Sequence, residues 1–282
     1  MPLNLPGILV PFQLIIYPRL VVPSLIVKDI RHLDFPALKR AGYRGAVFDK
    51  DNCLTIPYKD TLVPELEEAW KTCRETFGEG NVIIVSNSAG TGLDAGGIQA
   101  ESVQHHLQVP VLFHASFKPA YSCISAIQTY FSSLPRPIRS NELIIVGDRI
   151  FTDIVMANRI QVQGDKRPRL LMQSQEFVSE KKDIDLGSLD STSTESTVDL
   201  KPSLSPPGPL AVWTTGVWEK ESMFMRCMES QLVKSVEKWT TPKPPHSLDQ
   251  WDTSQFIRHL PPPEPPKRTS VFSNLVSRFR TS

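Results

Sequence analysis

From about residue 34 onward, short apolar runs alternate with segments of helical periodicity. Ala46–Phe48 is a continuous apolar run of the kind a sheet buries on both faces. Val63–Phe77 follows with helical spacing, and Pro64 and Glu65 suit its first turn. The alternation continues as a strand at Asn81–Val85, a helix at Gly97–Leu107, a strand at Val109–His114, a helix at Ala120–Phe131 and a strand at Leu143–Val146. After a polar interval, Leu210–Thr214 reads as a fifth strand. A helix from about Lys220 to Trp239 follows, with Phe224, Leu232, Val236 and Trp239 among its apolar positions. This order predicts an α/β fold with a doubly wound parallel sheet, whose ligand lies outside the carboxyl ends of the strands.

The flanks have a different character. Residues 3–27 are strongly apolar, with Arg19 the only charge, but Pro6, Pro11, Pro18 and Pro23 break the run. Each proline would cost a helix interior roughly 3 kcal/mol, so a bilayer-spanning helix is not expected. The segment also lacks the basic start and small-residue cleavage site of a secretory signal, and the Arg- and Ser-rich pattern of a transit peptide. Two readings remain: packing onto the domain, or insertion into one leaflet as a peripheral or monotopic membrane anchor. The expected organisation is therefore an apolar segment at 1–33, a core at 34–164, a disordered Ser/Thr/Asp/Lys/Pro-rich insertion at 165–208 and the last strand and helix at 209–240. A Pro-rich tail with a basic amphipathic end occupies 241–282.

Composition changes this picture little. The formal net charge of +1 gives no global reason to expect nucleic acid as a partner. Cys53, Cys73, Cys123 and Cys227 are far apart and lack ligand spacing, which suits reduced thiols in an intracellular compartment. The sequence is equally compatible with a monomer and a homo-oligomer.

The candidate chemistry lies at the strand ends. The first strand runs into Asp49 and Asp51, two carboxylates one residue apart, which extended backbone would place on the same side. Like charges that close call for a cation, a shared proton or both. The second strand ends at Ser86 and Asn87, the region after the third offers Lys118, and the fourth gives Gly147-Asp148 with Asp153 five residues on. In a parallel sheet these ends meet in one crevice. The carboxylates ask for a hard divalent cation such as Mg2+, and the hydroxyl and ammonium suit phosphoryl oxygens. Taken singly, Lys118 is also readable as a solvated lysine and Asp153 as an ordinary helix N-terminal charge. His105, His106 and His114 read as structural or solvent-facing.

F-D-K-D-N-C-L, S-N-S, Lys118 and G-D-R-I-F-T-D, in that order and each after an apolar strand, resemble the four motifs of haloacid-dehalogenase-like phosphatases, over about residues 44–160. The resemblance implies that Asp49 is the nucleophile and Asp51 the acid–base. It implies that Ser86 and Lys118 hold the transferring oxygens, and that Asp49, the Asp51 carbonyl and Asp148 bind Mg2+. Asp153 would orient Lys118 or a metal-bound water. Cys53 stands where threonine is commoner in that motif. The spacing leaves no room for a large cap domain, so an open crevice is expected. In detail, P-S-L-I-V-K-D-I-R-H-L-D-F-P-A-L-K-R-A-G-Y-R-G-A-V-F-D-K-D-N-C-L-T-I-P-Y and G-D-R-I-F-T-D-I-V-M-A-N-R-I are similar to the fungal mitochondrial phosphatidylglycerophosphatase family. That likeness implies a phospholipid substrate, phosphatidylglycerophosphate, on the matrix side of the mitochondrial inner membrane, in a step toward cardiolipin. A phosphatase of a soluble phosphomonoester is the alternative.

Overall fold

The structure is a computed structural model, and it describes residues 10–163, 206–220, 223–240 and 252–260. Five strands form one parallel sheet: β1 (Leu25–Val27), β2 (Gly45–Phe48), β3 (Val82–Ile84), β4 (Leu143–Gly147) and β5 (Leu210–Thr214), in the order β1-β5-β4-β2-β3. The described helices are α1 (Val10–Leu14), α2 (Phe35–Arg40), α3 (Glu67–Phe77), α4 (Ile98–Leu107), α5 (Tyr121–Ser133), α6 (residues 155–163) and α7 (Met223–Thr240).

Alternation along each strand sends side chains to two separate cores. Ala46, Phe48, Ile84, Ile144, Val146 and Val212 meet α2, α3 and α4 through Leu38, Trp70 and Val103. Val47, Ile83, Ile145, Ala211 and Trp213 meet α5, α6 and α7 through Ile127, Ile160 and Val233. Helices thus cover both faces, as the alternating pattern predicts. Between β2 and β3, and between β3 and β4, the described chain contains only loops and core helices, with no inserted cap domain.

Two expectations are corrected. Val109–His114 contributes no strand, only a bridge between Ile84 and Val111. Pro110 has no N–H to donate, and the chain bends so that the His114 amide reaches the Gly90 carbonyl at 2.9 Å. Within the apolar N-terminal run, residues 25–27 form edge strand β1 on β5, so the core begins earlier than residue 34. On α7 the buried positions are Glu229, Val233 and Val236, while Phe224 and Trp239 are among the most exposed apolar residues described. The rest of the apolar run is split. Val10 and Val21 are buried against the sheet's second core and Leu20 is buried as well, whereas Phe12, Ile15, Ile16 and Tyr17 face outward. No described helix is long and apolar enough to cross a membrane. The insertion expected at 165–208 lies almost wholly outside the described residues, as does the tail apart from 252–260.

Candidate active site

β2 delivers the first two carboxylates. The Asp49 amide still bonds the Val146 carbonyl of β4 at 2.9 Å, so Asp49 is held one residue beyond the last paired position of β2. The chain then turns tightly: the Leu54 and Thr55 amides both donate to the Lys50 carbonyl at 3.0 Å. Asn52 occupies the left-handed region at φ 58, a conformation asparagine tolerates better than most residues. Its Oδ1 accepts from the Trp218 and Glu219 amides at 3.2 and 3.1 Å, which ties the turn to the segment after β5.

This turn gives Asp49 and Asp51 different partners. Asp49 Oδ1 accepts from Lys118 Nζ at 2.7 Å. Asp51 instead pairs with the buried Lys50 ammonium at 2.8 Å, and accepts from the Tyr58 amide and from Ser88 Oγ, both at 3.2 Å. Ser88 Oγ also meets Ser86 Oγ at 2.9 Å, so Ser86 connects to Asp51 through a hydroxyl bridge. Downstream of that loop, Asp94 steadies α4: its carboxylate takes the Gln99 and Ala100 amides at 2.9 and 2.8 Å. His114 is buried rather than solvent-facing, with Nε2 3.0 Å from the Ser86 carbonyl and Nδ1 2.7 Å from that of Ser116.

β4 delivers the other carboxylates. After Gly147 the chain makes a π-helical turn at Ile150–Ile154, a widened turn that is frequent at functional sites. The turn folds Asp153 back over the strand end, where its Oδ2 accepts the Arg149 amide at 3.2 Å. A Cβ on residue 147 would overlap the Asp153 carboxyl, which is why only glycine fits there.

Asp49, Asp148 and Asp153 come together, each offering one oxygen within 4.8 Å of the others. Burial pushes the Asp148 carboxyl well above the usual carboxylate range, the charges of Asp49 and Asp153 add to it, and Arg226 opposes. Asp153 is raised for the same first reason, with Lys118 pulling it down. Burial alone would lower the pKa of Lys118. Asp153 and Asp49, each 2.7 Å from its Nζ, reverse that and hold it protonated above its ordinary range. The donor set is three hard carboxylate oxygens under mutual repulsion, which fits a Mg2+-class cation. The Asp51 carboxyl stands outside that cluster.

Of the residues expected from sequence, Asp49, Lys118, Asp148 and Asp153 converge directly, while Ser86 and Asp51 are linked to each other through Ser88. Lys118 is further fixed by its amide, which donates to Asn87 Oδ1 at 2.7 Å. Sequence reasoning missed Ser88, although it stands two residues from Ser86 as Asp51 does from Asp49. It also missed Arg226 of α7, which ion-pairs with the Asp148 carboxylate and for which no local pattern exists.

The profile of the family described as mitochondrial PGP phosphatase matches residues 5–164, a span holding every residue of the carboxylate, serine and lysine network above. The chain belongs to the mitochondrial PGP phosphatase family. Among similar proteins, a chloroplastic phosphatidylglycerophosphate phosphatase 1 of Chlamydomonas reinhardtii is 43% identical over 141 residues, 50% of this chain and 50% of that protein. Its chloroplastic/mitochondrial counterpart in Arabidopsis thaliana is 38% identical over 159 residues, 56% of this chain and 44% of that one. The mitochondrial phosphatidylglycerophosphatase of Saccharomyces cerevisiae is 35% identical over 162 residues, 57% of this chain and 85% of that protein. The matched region spans about half the length or less of the algal and plant relatives. No solved structure matches the chain. The span matched to the mitochondrial PGP phosphatases ends before β5 and α7, so Arg226 lies beyond it.

Proposed function

We propose that the chain is a Mg2+-dependent phosphatidylglycerophosphatase, hydrolysing phosphatidylglycerophosphate to phosphatidylglycerol and phosphate, as a step toward cardiolipin on the matrix side of the mitochondrial inner membrane. The observation that carries the chemistry is a partly exposed Asp49 carboxylate on a buried lysine, beside two further carboxylates, at the carboxyl end of a parallel sheet. The relatives' names support the substrate.

Asp49 attacks phosphorus, an aspartyl-phosphate forms, and the bond from phosphorus to the glycerol oxygen breaks. Asp51 protonates that leaving oxygen, then takes the proton of the water that attacks the acyl phosphate and frees Asp49. Ser88, hydrogen-bonded to Asp51 at 3.2 Å, steadies the carboxyl between those two roles. Ser86 and Lys118 hold the transferring oxygens. Asp49, Asp148 and the Asp51 carbonyl would hold Mg2+, which would supply charge neutralisation between carboxylate and phosphoryl group.

The test is phosphate release from phosphatidylglycerophosphate in vesicles and from a panel of soluble phosphomonoesters, each with Mg2+ and with excess chelator. Release from the lipid at least tenfold faster than from any soluble ester, and lost on chelation, is expected. Comparable or faster turnover of a nucleotide or sugar phosphate would overturn the lipid assignment.

The exposed Phe12, Ile15, Ile16 and Tyr17 support a peripheral membrane contact through the N-terminal segment. Removing residues 1–27 would also remove β1, so substitution is the sharper probe. The triple variant Phe12→Ser, Ile15→Ser, Ile16→Ser is expected to lose vesicle binding by about tenfold or more, with soluble-ester turnover unchanged. Undiminished sedimentation with vesicles would show that this patch does not contact lipid.

A further inference from the structure

Arg226 and Glu229 stand three residues apart on α7 and therefore share a face. That face continues into the buried Val233 and Val236, so both charges point where the helix packs against the domain. Below them lie Asp148 and Arg149, adjacent in the chain at the end of β4. The charges meet crosswise. Arg226 pairs with the Asp148 carboxylate and places Nη1 3.4 Å from the Asp148 main-chain oxygen. Glu229, wholly buried, faces Arg149 Nε at 3.5 Å. α7 thus grips two neighbouring residues with opposite signs, and one of the two belongs to the carboxylate cluster.

The cluster's charges are consequently divided between two cations. Lys118 is shared by Asp49 and Asp153, and Arg226 serves Asp148. A buried carboxylate left without a counter-charge is costly, which gives Arg226 work to do in the metal-free protein. The same contact opposes metal loading. Mg2+ takes carboxylate oxygens at short range in a strict geometry and gains most where the donor's negative charge is not already neutralised. A guanidinium on Asp148 withdraws that charge and sets a positive group beside the incoming ion.

We propose that Arg226 is a resident counter-cation of the metal site, which a divalent ion has to displace from Asp148, so that α7 is latched to the site without metal and released with it. This rests on the Mg2+ reading above and adds a residue beyond the span shared with the family.

Calorimetric titration of the substrate-free protein with Mg2+ tests it. Arg226→Gln is expected to bind Mg2+ about tenfold more tightly than the unmodified protein, because the competing charge is gone. Arg226→Lys, which keeps the charge, is expected to stay within about threefold of it. Unchanged or weaker binding by Arg226→Gln would make Arg226 a structural or positioning partner of Asp148 and overturn the latch. Far-UV circular dichroism verifies that both variants fold. If Arg226→Gln does not, amide hydrogen exchange of the unmodified protein decides: residues 223–230 should exchange faster with Mg2+ than without, and equal or slower exchange overturns the proposal. An unmodified protein that binds no Mg2+ fails at the earlier step, and removes the metal reading together with the latch.

Discussion

Asp49→Asn is expected to reduce phosphate release by at least about a thousandfold while leaving folding stability within about 1 kcal/mol of the unmodified protein. The amide is nearly isosteric with the carboxylate but is not a nucleophile, so no aspartyl-phosphate forms. Stability is spared for a reason visible in the geometry. Lys118 loses one charged partner but keeps Asp153 at 2.7 Å, while repulsion on Asp148 and Asp153 falls. Phosphate-release kinetics and urea denaturation of one preparation check both halves. Substantial residual turnover would remove Asp49 from the nucleophile's role.

Lys118→Met is expected to fail in both respects. The lysine is almost fully buried and lies between two carboxylates, one of them buried as well. Removing the cation leaves Asp153 as an uncompensated buried charge, a loss of about 3–5 kcal/mol in the metal-free protein. Activity should vanish with it, since the transferring oxygens lose their point charge. Adding Asp153→Asn to that variant is expected to recover part of the stability and none of the activity, because it removes the stranded charge but not the need for the ammonium. Denaturant midpoints of the single and double variants are the measurement. A single variant as stable as the unmodified protein would mean that Lys118 is not the counter-ion the carboxylates depend on.

The residues of the site differ in how much each says locally. Asp49, Ser86 and Asp148 are legible because each ends an apolar run, and a parallel sheet brings such ends to one edge whatever the loops do. Lys118 has no strand of its own: Pro110 stops the ladder after a single bridge, and the lysine arrives through its amide's bond to Asn87. Only its place in the motif order marks it. The separation of Asp51 from Asp49 was hidden because an i, i+2 rule holds for extended chain, and Asn52 turns the backbone at once. β1 was obscured because a three-residue edge strand inside a proline-rich apolar run carries no periodicity of its own. Arg226 is the extreme case, since its partner is 78 residues away and the pairing depends wholly on where α7 lands. Phe224 and Trp239 show the same limit from the other side: the apolar positions were legible, but the face that packs is the one carrying Glu229, Val233 and Val236.

The strand order has a consequence for synthesis. β5 lies between β4 and β1, yet it is the last of the five to leave the ribosome. Until residues 210–214 emerge, β1 has no neighbour and β4 keeps one row of backbone donors and acceptors open to water or to another chain. Vectorial folding must therefore hold an unfinished sheet edge through the whole passage of residues 164–205, and a chaperone acting on this protein would find its substrate there.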